Sequence, residues 1–338
     1  MTDRTSDRGL SEGEMNRIAA QIIGEWYTMA TEHLAATTGP EKAVEIMGPC
    51  FFTKGLEIWE KGSKIAQLEG DSAWLIAQDL KIANMVPGPP GVVEIAERGV
   101  ITTYAECFAL GSKYVPAYCQ IHEIALRAQV KGIDPGWDFH FTRTMPQGFD
   151  CCIGVARKTP VPLDRWEDSG TVVAVMLDFE VVDAVKKFMI WAVRVWWVLI
   201  VASLVYAVGE EKAIEILRPS MVENGKVWGL KLAEMLGVER NETGLAKLLE
   251  TFSDIMEVRG EITICPERID EFVISCPFSG SSEGVCRLFH SFIEGLCYSM
   301  DPSLTFCNKR LESSEHICRW RIKEGVGAVE NVQLPMQD

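Results

Sequence analysis

"GPEKAVEIMGP" (residues 39–49) and "GEEKAIEILRP" (residues 209–219) say nearly the same thing 170 residues apart. Seven of the eleven positions are identical in register, and Val/Ile and Met/Leu are conservative exchanges. Extended upstream, the same offset pairs Trp26 with Trp196 and Leu34 with Leu204. Downstream the register slips, and a second block then aligns without a gap for 33 residues, 119–151 against 286–318. That block pairs Cys119/Cys286, Asp134/Asp301, Pro135/Pro302, Phe139/Phe306, Arg143/Arg310 and Cys151/Cys318. Just before it, "CFALG" and "CPFSG" pair Cys107 with Cys276. The expectation is a tandem duplication with units at 21–158 and 188–323, a connector at 159–187, and tails at 1–20 and 324–338.

Each unit has the same local grammar. In the first, apolar residues at helical spacing over 18–37 predict a helix, and a second begins at the repeated stretch with Pro40 in its first turn. A third spans 72–83 and ends before "PGPPG", a turn. "VVEIAERGVITTYAEC" alternates like two strands, "AYCQIHEIALRAQV" is helical, and "WDFHFTRT" and "CCIGVARK" are strands. Helices followed by a ββαββ run predict an α+β fold with an antiparallel sheet in each unit. The connector turns apolar in "TVVAVMLDFEVV", so it is expected to add a strand or helix.

The 338 residues suffice for two cores, and 47% hydrophobic with 24% charged residues is an ordinary globular composition. Net charge is −15, the wrong sign for phosphate contacts or anionic lipid, which sets nucleic acid and acidic membrane surfaces aside. Eleven cysteines follow a polar, charged N-terminus that does not resemble an export signal, so a reducing cytoplasm is expected.

Residues 188–208, "FMIWAVRVWWVLIVASLVYAV", contain one charge, Arg194, and have the length of a membrane span. The counterpart at 18–38 carries Glu25, Glu32 and His33, which a bilayer accepts only at high cost. The helix is therefore expected to be buried, against the other unit or in a homo-oligomer or partner protein, with membrane insertion as the alternative.

Chemistry concentrates on positions present in both units. Cys107, Cys119 and Cys151, with Cys276, Cys286 and Cys318, are either buried small hydrophobes or a thiolate set that binds zinc or iron or attacks a substrate. His122 follows Cys119 by three residues and His290 follows Cys286 by four, so thiol and imidazole share a helix face. A neighbouring imidazolium would lower the thiol pKa. Arg143, on a strand, is either ion-paired, for instance to Asp134, or a clamp for a substrate carboxylate. Trp26 and Trp196 are core residues or pocket walls. Phosphate-loop, dinucleotide-loop, serine-elbow, zincin and C-x-x-C motifs are absent from the sequence.

The run "AYCQIHEIAL…FHFTRTMPQGFDCCIGV", with Cys107 before it, resembles the L-2-amino-thiazoline-4-carboxylic acid hydrolase-like family. The similarity rests on Cys107, Cys119, Arg143, Gly148 and Cys151, with Ile153 in a slot that Trp320 of the second unit fills better. The wider fold is similar to 4-vinyl reductase-type small-molecule-binding domains. The resemblance implies an enzyme that hydrolyses a heterocyclic or amide-like carboxylate, thiol- or metal-assisted. Cys119 with His122 would act as nucleophile or metal ligand and Arg143 as carboxylate clamp, with the first unit active because it keeps the Gly148 turn. The alternatives are a non-catalytic small-molecule or metal binder and a subunit of a larger assembly.

Overall fold

The computed structural model of the chain describes residues 9–66, 70–84, 92–96, 99–105, 107, 113–158, 172–174, 183–265, 268–278, 281–311 and 318–324. "PGPPG" and most of the connector lie outside them. The architecture is α+β, in two compact units that divide at Ala213/Ile214, inside the first turn of a helix.

In the N-terminal unit, α1 (Glu12–Thr38) and α2 (Pro40–Ala66) meet at Gly39, whose φ of +92° breaks the helix. In the same chain α5 (Asp183–Val208) and α6 (Glu210–Leu236) meet at Gly209, φ +85°. Both repeated stretches thus begin at a left-handed glycine joint, a backbone state that costs glycine little and other residues more. Between α2 and α5 come α3 (Ser72–Asn84), β1 (Val92–Ala96), β2 (Gly99–Tyr104), α4 (Val115–Ile133), β3 (Trp137–Arg143), β4 (Cys152–Lys158) and β5 (Val172–Ala174). The antiparallel sheet runs β3-β4-β2-β1-β5, so the connector does supply a strand, on the outer edge of β1.

One face of this sheet carries the core. Ile76 and Leu80 of α3 and Leu126 and Val130 of α4 pack with Val93, Val100, Phe139 and Ala156. The opposite face holds a smaller cluster of Ala96, Ile101, Ile153 and Val155, with Cys151 against it. Alternation along β4 therefore sends Cys151 and Cys152 to opposite faces.

Helix α5 packs on α1 and α2. Trp26 and Trp197 sit with ring centroids 5.0 Å apart, and Trp196 stacks on Phe51 at 4.5 Å. Trp26 of α1 and Trp197, Ile200, Val201 and Leu204 of α5 are fully buried, so these apolar residues are covered within their own chain. Among the described residues, no helix is long and apolar enough to cross a membrane. Compactness groups α5 with α1 and α2, whereas the sequence repeat groups it with the residues that follow.

The C-terminal unit repeats the order: the rest of α6, then α7 (Glu242–Ile255), β6 (Arg259–Cys265), β7 (Arg268–Ser275), α8 (Glu283–Met300), β8 (Leu304–Arg310) and β9 (Cys318–Glu324). Its sheet runs β6-β7-β9-β8, the strand order of β1-β2-β4-β3. Register makes the correspondence residue-specific. Phe139 faces Ala156, and Phe306 faces Ile322, so β4 and β9 differ by 166 positions and Cys152, not Cys151, is the counterpart of Cys318. The ungapped pairing of Cys151 with Cys318 is one residue off.

Two helix crossings have no room for a side chain. A Cβ on Gly55 of α2 would stand 2.5 Å from Ala128 Cβ of α4 and 2.9 Å from the Ala125 carbonyl. A Cβ on Gly225 of α6 would overlap the Phe292 carbonyl of α8 and reach 3.0 Å from Gly295 Cα. At Gly225 the obstacles are backbone, which cannot rotate aside, so Gly225→Ala should lower unfolding free energy by about 2–3 kcal/mol in urea titrations.

Candidate functional site

Helix α4 is fixed to β3 by two carboxylates. Asp138 takes a bidentate grip from Arg127 at 2.6 and 2.7 Å, while Glu123 lies 3.1 Å from His140 Nδ1 and accepts the Phe141 N–H at 3.0 Å. Asp134, at the end of α4, accepts from Gly136 N–H and Ser72 Oγ, both at 2.8 Å, which closes the turn into β3. It is a turn cap rather than the partner considered for Arg143. These contacts settle where Cys119 and His122 point.

Both line a cavity of about 30 Å³ together with Tyr104, Cys107, Tyr118, Phe141, Thr144 and Cys152. The His122 ring lies 5.9 Å from Tyr118 and 6.0 Å from Phe141, nearly parallel to each, and meets Tyr104 edge-on at 6.3 Å. Burial drives its pKa down to about 4, so the imidazole is neutral near pH 7. Burial also pushes the Cys119 thiol up to about 12, with nearby Cys107, Cys152 and Glu123 adding to the shift. The spacing predicted an imidazole that draws the thiol pKa down; the enclosure does the reverse, because it removes water from both groups and His122 carries no charge.

Cys152 replaces Cys151 in this constellation. Its Sγ accepts the Met145 N–H at 3.2 Å. Met145 opens a 3-10 turn, Met145–Gln147, with Thr144 and Gln147 in a reciprocal capping box and Gly148 closing it at φ +93°. The Gly148 turn thus holds Thr144 and Met145 over Cys152, whereas Cys151 packs beyond the other face of the sheet. Arg143 is half-buried, carries its guanidinium 5.6 Å from the Phe149 ring, and is not among the residues lining the cavity. A bulge between Phe141 and Arg143 takes it out of step with the strand.

The C-terminal unit gathers the matching thiols. Burial, then Cys276 and Cys286, raise the Cys318 pKa to about 12. His290 is likewise lowered to about 4 by burial, with Phe306 and Trp320 each 5.9 Å away. Trp320 stands where the N-terminal unit has Gly154, by the same register that matches Cys318 to Cys152. All eleven cysteines are free. Among the described residues, no group of three or more His, Cys, Asp or Glu side chains is arranged to hold a metal ion.

Sequence reasoning missed Tyr104, Tyr118, Thr144 and Cys152; only the adjacent "CC" hinted at the last. It also missed Asp79 of α3, which is 1% exposed with no partner at Oδ2 and is raised by burial to about 7. No family model matches the chain, and no curated protein or solved structure is significantly similar to it.

Two outcomes follow from these protonation states. Alkylation at pH 8 should modify exposed Cys50 well before Cys119, whose thiolate fraction is roughly a thousandfold lower than an ordinary thiol's. His122→Phe should leave the Cys119 rate unchanged, read by mass spectrometry of the modified peptides. For Asp79, the folded-state pKa of about 7 lies above the unfolded carboxyl value of about 4, so stability falls as pH rises through that window. Asp79→Asn should therefore unfold at a higher temperature than wild type at pH 8 and at a similar temperature at pH 4.

Proposed function

We propose that the chain is a cytoplasmic small-molecule-binding protein that takes an uncharged ring or alkyl group between α4 and the sheet of the N-terminal unit. One observation carries this reading: the thiol and imidazole expected to do chemistry are both uncharged and walled by aromatic rings. Among the described residues lining the cavity, none is a carboxylate, Lys or Arg, so an ionic ligand would be desolvated without a counter-charge. A planar ring can stack with Tyr118 and Phe141, and the neutral imidazole supplies one donor and one acceptor nitrogen. A volume of about 30 Å³ admits about one water, so ring entry requires half-buried Phe141 and Thr144 to move. Common descent of the two units by tandem duplication belongs to the same proposal, supported by the shared strand order and the matched thiols.

A thiol-assisted hydrolase of a heterocyclic or amide-like carboxylate is the second reading. The recurrence of the three-thiol cluster in both units favours it, and the raised Cys119 pKa opposes it. A metal-assisted version with zinc or iron would need ligands that the described residues do not assemble.

Thiazole and 2-amino-thiazoline-4-carboxylate separate the two readings. Ligand-observed NMR should show millimolar binding of neutral thiazole that weakens in Phe141→Ala, with no thiol released from the thiazoline. Thiol release that disappears in Cys119→Ser would reverse the order.

A further inference from the structure

The C-terminal unit has a cleft of about 510 Å³ between α7 and the edge strand β6. At its base is Glu271 of β7, 1% exposed. Its Oε1 accepts the Ser253 hydroxyl at 3.0 Å, and its Oε2 is buried with no hydrogen-bond partner. A buried acceptor without a donor costs stability, and such groups are rare unless something else satisfies them.

The carboxyl sits among the residues that line the cleft. Gly260 of β6 lies against it: a Cβ there would stand 3.1 Å from Glu271 Oε1 and 3.3 Å from its Cγ. With glycine, no side chain of residue 260 stands between the carboxyl and β6. The matching strand position in the N-terminal unit is Thr102, which pairs with Gly154 as Glu271 pairs with Trp320, so the acid is peculiar to the C-terminal unit. The other charged residues lining the cleft are Glu250 and Asp254 against Lys247 and Arg259, two of each sign, which leaves an ionised Glu271 as the uncompensated charge. Val258, Ile262 and Ile264 supply apolar wall.

We propose that this cleft is a binding site for a small organic cation, an alkylamine or alkylguanidine, whose nitrogen donates to Glu271 Oε2 while its carbon chain lies on the β6 isoleucines. The volume is within the range of small-molecule sites. A cation adds a charge-assisted hydrogen bond where a neutral donor adds only an ordinary one. Burial first, then Asp254, raise the Glu271 pKa to about 7, with the Ser253 hydrogen bond opposing. Cys297 of α8 and Cys318 of β9 also face it electrostatically, and burial keeps both thiols protonated. The carboxylate form therefore dominates only above neutrality, and cation affinity should rise about tenfold or more between pH 5.5 and 8.5.

The test uses the full chain with n-butylamine, n-butylguanidine, n-butanol and butyrate in ligand-observed NMR titrations at both pH values. The expected result is saturable binding of the two cations at pH 8.5, at least tenfold tighter than butanol or butyrate. Glu271→Gln should weaken the cations at least tenfold while keeping the fold, since a neutral amide of equal shape is easier to bury than a carboxylate. Equal binding to wild type and Glu271→Gln, equal binding of butyrate, or no cation binding to wild type each overturns the proposal. None of these outcomes depends on the cavity beside α4.

Discussion

The backbone-to-backbone approach of α2 on α4 at Gly55, and of α6 on α8 at Gly225, is the constraint on which the remaining geometry depends. Each ββαββ run contributes a sheet and one helix, and that helix must be pressed onto the sheet for its polar and thiol side chains to be enclosed. A second helix lying across its back supplies the pressure, and only a residue without a Cβ allows the crossing to be that close. In the N-terminal unit the result is α4 held between α2 and the sheet, with Glu123 and Arg127 fixing its rotation through His140, Phe141 and Asp138. The cavity between Cys119, His122 and Cys152 is what remains after that seating.

Enclosure then decides the chemistry. A thiol next to an imidazole is a reactive pair only when the imidazole is protonated or can accept a proton into a polar surrounding. Around His122 there are Tyr104, Tyr118 and Phe141, whose rings take the place of the water that would solvate an imidazolium or a thiolate. The same holds around His290, where Phe306 and Trp320 close in. The two units differ in which residue carries the imidazole, and burial keeps it uncharged in both.

Much of this organisation was legible in the sequence, because an internal repeat is its own control. The helix joint at Gly39 and Gly209, the ββαββ order and the burial of Trp197, Ile200, Val201 and Leu204 all follow from residue patterning and from comparison of one unit with the other. The register at Cys151 and Cys152 did not. Eight residues, 144–151, join β3 to β4, whereas seven, 311–317, join β8 to β9, and an ungapped alignment hides the extra one. A one-residue slip reverses the face of every side chain in a strand, so the sequence pairing selected the cysteine that points away. Nor does any periodicity reveal that Asp79 is buried with no partner at Oδ2, or that Glu271 is buried beside Gly260. Those are facts of long-range packing.

The buried groups invert the usual division of labour in proton exchange. Near neutrality a protein ordinarily buffers through histidine while its carboxyls stay ionised. Here His122 and His290 have been driven below that range, and Asp79 and Glu271 have been lifted into it. Carboxyl groups therefore carry part of the chain's proton uptake near neutrality. Acidification in that range discharges two buried anions, one in each unit, and so relaxes the interior where most folds would begin to acquire buried positive charge.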